Sequence, residues 1–104
     1  GASSRDLADC AWSLARFQRK KDLLDLRPLV QAAAAKMTSF RTVELAKLSW
    51  GLATLASPAP ELFGALARQA FLLRSRLSPQ SLANIAWSFA KLHLRDPALR
   101  QLFS

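Results

Sequence analysis

The chain has 104 residues, of which 51% are hydrophobic, with a single cysteine and a formal charge of +8. That apolar share excludes intrinsic disorder, the length holds one packed core, and the lone Cys10 excludes an internal disulfide. No uninterrupted apolar run approaches the length of a bilayer span, so no membrane partner is expected. Leu and Ala dominate, Tyr is absent, and only three Gly and five Pro punctuate the chain. This composition favours helices over hairpins. A pI near 11.2 points to an anionic partner, with nucleic acid the first candidate. The competing reading is that some arginine reflects a GC-rich coding sequence.

In chain order, Ser3-Ser4-Arg5-Asp6 is a capping-box variant that opens a helix over 4–18. The N-terminal stretch is basic, but it carries Asp6, Asp9 and the first repeat, so it does not read as a transit peptide. Gln18–Arg27 is a longer, charged connection. Within it, Arg19-Lys20-Lys21 is either a solvated loop or a clamp on nucleic-acid backbone. Pro28 opens a second helix running through Val30 and Ala32–Ala35 to Met37, with a preliminary turn over Asp22–Leu26. Thr42, with Glu44 in the first turn, starts a helix over 42–56. Pro60 starts another, reaching Arg74 and placing Leu62, Phe63, Leu66, Ala67 and Ala70 on one side. Ser78-Pro79 supplies an N-cap and a Pro at the first helical position for a helix over 79–94. Asp96-Pro97 opens a last helix toward Ser104.

Three of these helices are near-copies. The segments beginning at Leu7, Leu45 and Leu82 share the pattern L-A-x-x-x-W-x-[LF]-A-x-[LF], with Trp12, Trp50 and Trp87 on one position at intervals of 38 and 37 residues. A fixed period in this range marks a repeat array. At about 100° per residue the repeated apolar positions cover roughly 220° of helix surface, which describes a helix packed between neighbours. The expected architecture is all-α: an α-solenoid of about three helix-turn-helix repeats over 3–39, 40–76 and 77–104, the last truncated. The three tryptophans are expected to be largely buried wedges between layers, and Cys10, at the position of Leu48 and Ile85, a buried core thiol. Neither end reads as a cap, so the array is expected to belong to a longer solenoid or a larger assembly.

The period and the motif Ser78-Pro79-Gln80-Ser81-Leu82-Ala83-Asn84-Ile85-Ala86-Trp87-Ser88-Phe89-Ala90-Lys91-Leu92 resemble the octotricopeptide repeat and its heptatricopeptide relative. The resemblance covers essentially the whole chain, with the first repeat departing from the pattern over Gln18–Arg27. It implies an RNA-binding protein of an organelle, mitochondrion ahead of chloroplast. Such a protein would act on transcripts or as a component of the mitochondrial ribosome bound to rRNA, alongside other proteins of a ribonucleoprotein.

No catalytic constellation stands in the sequence. His93 is the only histidine, the glycines are isolated, and no nucleophile has a base, so neither enzymatic activity nor a metal or cofactor is expected. The informative residues are the polar ones left on each repeated helix, because they vary between copies while the frame does not. They are Asp6, Asp9, Ser13 and Arg16; Glu44, Lys47, Gly51 and Thr54; and Ser81, Asn84, Ser88 and Lys91. Asp9, Lys47 and Asn84 are expected to form one base-facing column, with Ser13, Gly51 and Ser88 beside it. Arg16, Lys36, Arg41, Arg74, Arg76 and Lys91 are the phosphate candidates, four of them just before a helix N-terminus. The alternative is a protein-interaction scaffold whose basic charge is incidental.

Overall fold

The computed structural model describes residues 3–17, 25–56, 59–95 and 97–102. Among these the chain is helical throughout, in six α-helices. They are α1 (Ser4–Phe17), α2 (Arg27–Ala35), α3 (Thr42–Thr54), α4 (Pro60–Leu72), α5 (Pro79–Lys91) and α6 (Pro97–Leu102). Single 3-10 turns, Met37–Ser39 and Arg74–Arg76, lead into α3 and α5. The run Arg19-Lys20-Lys21, residues 22–24 of the preliminary turn expected over Asp22–Leu26, Asp96 and the last two residues lie outside the described residues; Asp25 and Leu26 are not helical.

The helix starts follow local chemistry. Asp6 N–H donates to Ser3 Oγ at 3.2 Å and Ser3 N–H to Asp6 Oδ2 at 3.3 Å, so the box at α1 closes on both sides. At α5, Ser78 Oγ accepts from the Ser81 N–H at 3.1 Å. At α3 the N-cap is Arg41, and the Glu44 carboxylate accepts its N–H at 2.9 Å. Glu44 also accepts the Ser4 hydroxyl, at 3.3 Å, which ties the first turn of α1 to that of α3. Ahead of α2, Asp25 accepts from Arg27 Nε and Nη2 at 2.9 and 3.0 Å. These hydrogen bonds lower the Asp25 carboxyl below its ordinary range and raise the Arg27 guanidinium.

The helix ends repeat as well. Ala56 (φ 53°) and His93 (φ 57°) are left-handed and stand 37 positions apart. At the second site Leu94 N–H reaches Phe89 O at 2.9 Å and His93 N–H reaches Ala90 O at 3.1 Å, the two bonds of a Schellman ending. An alanine in this conformation carries a strain of about 1–2 kcal/mol that glycine lacks. After glycine's larger loss of chain entropy on folding, Ala56→Gly is expected to raise unfolding stability by about 0.5–1 kcal/mol, measured by urea denaturation. His93→Gly should gain less, since histidine tolerates the left-handed region better.

Two layers result. α1 packs along α3 and α3 along α5, while α4 packs on α6 and only lightly on α2. The seam of the first layer is built from small residues: a Cβ at Gly51 would stand 2.6 Å from the Ala11 carbonyl oxygen, so only glycine admits this approach. Ser49 and Ser88 occupy the same two repeat positions as Ala11 and Gly51. Both are fully buried, and their hydroxyls turn back to Ala46 O (3.1 Å) and Asn84 O (2.6 Å) of their own helices. Between the layers lie Phe40, Leu45, Leu48, Leu52, Leu62, Phe63, Leu66, Ile85 and Phe89, all essentially without exposure. Phe63 of α4 meets Phe89 of α5 edge to face, with centroids 5.1 Å apart. Buried Gln69 binds α4 to the turn before α3 by donating from Nε2 to Thr38 O and Phe40 O, each at 3.3 Å.

Two burial expectations are corrected. Cys10 is exposed, although Leu48 and Ile85 at its repeat position are fully buried. That position faces the preceding layer, and among the described residues no helix packs ahead of α1. Of the tryptophans, Trp12 and Trp50 are largely buried and lie against each other, whereas Trp87 is 45% exposed. Trp87 stands on α5 near Ala83 and Ala90, which are exposed too, although the matching Ala46 and Ala53 are buried.

Candidate nucleic-acid interface

The outer face of the α1–α3–α5 layer follows from helical phase. Taking Leu7, Leu45 and Leu82 as origin, about 100° per residue puts Trp12, Trp50 and Trp87 near 140°. Arg16, Thr54 and Lys91 fall near 180°, and Asp9, Lys47 and Asn84 near 200°. The fully buried Leu48, Leu52, Ile85 and Phe89 fall near 300–340°, on the opposite side. Observed exposure agrees: Arg16, Trp87 and Lys91 are exposed, and Asp9, Lys47 and Asn84 are half-buried.

Within this face Asp9 and Lys47 meet, with Lys47 Nζ donating to Asp9 Oδ1 at 3.0 Å across α1 and α3. Arg5 lies 4.0 Å from the other Asp9 oxygen. Asp9 and Lys47 thus adjoin as expected, but they satisfy each other. At this exposure the pair adds little stability, and a ligand could displace it.

The second expected column does not exist as a surface. Gly51 and Ser88 are buried in the helix seam, and only Ser13 is exposed. The cause is the position itself, which faces the preceding helix of the layer; α1 has none before it among the described residues. Smallness at Gly51 and Ser88 therefore serves helix approach, not access for a base. Ser81 is likewise buried at the cap of α5, and Glu44 is engaged at the cap of α3. Thr54 has a buried Oγ1 with no hydrogen-bond partner.

The turn cations divide. Arg41 and Arg76 line one shallow depression with Thr38, Ser39, Phe40, Thr42, Gln69 and Leu73, at the N-terminal end of the layer. Arg74 instead folds onto its own helix end: Nη1 donates to Phe71 O at 2.8 Å, and the guanidinium lies 4.2 Å from the Phe71 ring centroid. Lys36 sits half-buried at the end of α2. The Arg41 N–H at the start of α3 is served by Glu44, and the Arg41 and Arg76 side chains are exposed there. Arg16 and Lys91 stand in the last turns of α1 and α5. Cations therefore mark both ends of the outer face.

Gln69, the Ser4–Glu44 hydrogen bond and the Phe71–Arg74 contact were not foreseen. Gln69 carries no periodic signal, since Ala32 stands at its position one repeat earlier. Among the described residues no cluster of three or more His, Cys, Asp or Glu could hold a metal, and no helix is long and apolar enough to cross a membrane. No protein-family model, curated protein or solved structure matches this chain.

Proposed function

We propose that this chain is an RNA-binding helical-repeat module, an α-solenoid with a 37–38-residue period of the octotricopeptide kind. RNA lies along the outer face of α1, α3 and α5, and no chemistry is catalysed. The placement is organellar, mitochondrial ahead of chloroplast, on ribosomal RNA or on transcripts, within a ribonucleoprotein. The observation that carries the reading is the distribution of cations on a chain of net charge +8. Arg41 and Arg76 line a depression at the N-terminal end of α3, beside α4, and Arg16 and Lys91 are exposed in the last turns of α1 and α5. Between them Lys47 is paired with Asp9. A single strand passing from one end of the layer to the other meets positive charge at both ends, which supplies sequence-independent affinity.

A second reading, a protein scaffold, draws on the far side of α5. Ala83 and Ala90 are exposed there, although the matching Ala46 and Ala53 are buried by the next helix. That side is shaped to receive another helix.

Salt dependence separates the two. Binding of a fluorescein-labelled single-stranded oligoribonucleotide is expected to weaken steeply between low and physiological salt. Replacing Arg16, Arg76 and Lys91 together by Ala should weaken all sequences about equally and flatten the log–log slope by about 0.7 for each phosphate no longer neutralised. Absence of RNA binding at low salt, or an affinity indifferent to salt, would sink the RNA reading. Salt-insensitive capture of a helical protein partner would favour the scaffold.

A further inference from the structure

We infer that Trp12, Trp50 and Trp87 form a base-stacking platform for single-stranded RNA; this rests on the RNA-binding reading above. Phe63 and Phe89 hide essentially all of their surface. The three indoles do not: Trp87 is 45% exposed, and Trp12 and Trp50 keep a smaller part of their surface open on the same outer face. At Trp87 a large aromatic area stays in water with no ring partner in return among the described residues.

The geometry suits flat ligands. The Trp12 and Trp50 rings lie against each other where α1 meets α3, with centroids 4.6 Å apart at 41°, and their open edges face the same side as Trp87. Trp87 carries the strip onto α5 and makes no ring contact of its own among the described residues. One turn from each indole is a cation: Arg16 follows Trp12 by four residues, Lys91 follows Trp87 by four, and Lys47 precedes Trp50 by three. Residues at these separations share a helix face. Indoles for base faces with ammonium and guanidinium groups for phosphates is the combination that holds single strands without reading their sequence. A duplex, whose base faces are already stacked, cannot use it. The variable Asp9, Lys47 and Asn84 lie beside the platform and would contact base edges once the faces are held.

The chain offers its own probe, since it has three tryptophans and no tyrosine. Titrating the intact chain with a single-stranded oligoribonucleotide of about 12 nucleotides is expected to quench tryptophan emission. The quenching should saturate where fluorescence anisotropy of the labelled oligonucleotide does, and the same sequence as a duplex should not quench. Trp87→Ala should weaken binding about 5- to 100-fold at fixed salt while leaving the salt slope unchanged. Trp87→Phe, which keeps an aromatic face, should restore most of the affinity. Far-UV circular dichroism checks that both variants remain helical, and the quenching of the unaltered chain needs no variant at all. If emission does not change on binding, or if both Trp87 variants bind as the wild type does while the Arg16/Arg76/Lys91 variant weakens, the platform is overturned and the RNA reading stands. If the wild type binds no RNA, the RNA reading fails and the platform fails with it.

Discussion

Phe89→Ala is expected to lower the unfolding free energy by about 3–5 kcal/mol, the range for removing a fully buried aromatic. Phe89 is 1% exposed and sits where α5 meets α4, edge to face with Phe63. At the same repeat position the other copies carry Leu14 and Leu52, so this joint alone uses a ring. Domains of this size are stable by about 5–15 kcal/mol in total, so the variant should sit close to unfolding at room temperature. Urea denaturation followed by circular dichroism measures the loss. A double-mutant cycle with Phe63→Ala should return a coupling of about 0.5–1.5 kcal/mol for the ring pair. A loss below about 1 kcal/mol would mean that the α4–α5 joint closes over the cavity.

Gly51→Ala should cost about 2 kcal/mol net, although alanine is the better helix former. The intrinsic gain is about 1 kcal/mol. Against it stands a new Cβ 2.6 Å from the Ala11 carbonyl oxygen and 3.0 Å from the Ala11 Cβ. The obstacle is largely backbone, which cannot swing aside as a side chain can, so α1 must move away from α3. Overpacking of this kind costs about 1–3 kcal/mol, and an approach this close belongs at the top of that range. Ser13→Ala, at the same repeat position but exposed on α1, should be neutral or slightly stabilising. The contrast between the two is read by thermal denaturation, and amide hydrogen exchange should show α1 losing protection first in the Gly51 variant. Equal behaviour of the two variants would remove the seam from the account of stability.

What could be read from the sequence was whatever depends on a helix and its own few residues. Ser3 with Asp6 and Ser78 with Pro79 announced helix starts, and the phase of Leu48, Leu52, Ile85 and Phe89 announced the buried side. What could not be read depends on whether a neighbour is present. Cys10 shares its position with Leu48 and Ile85, and Ala83 and Ala90 share theirs with Ala46 and Ala53, yet each differs in exposure because a repeat pattern says nothing about which copy stands at an open edge. Trp87 failed for the same reason: it shares its position with the largely buried Trp12 and Trp50, but stands on the copy with the open side. At the candidate interface, the adjacency of Lys47 and Asp9 followed from equal phase on adjacent helices, but their ion pair did not. The retreat of Arg74 onto Phe71, and the engagement of Glu44 at the Arg41 N–H, required coordinates.

The glycine–alanine seam also governs shape. Backbones that touch at Ala11 and Gly51 hold α1 and α3 close, whereas α2 barely reaches α4 in the opposite layer. The step from one indole to the next is therefore set by the size of residues that never touch a ligand. Enlarging a seam residue would lengthen that step without altering any group on the surface itself.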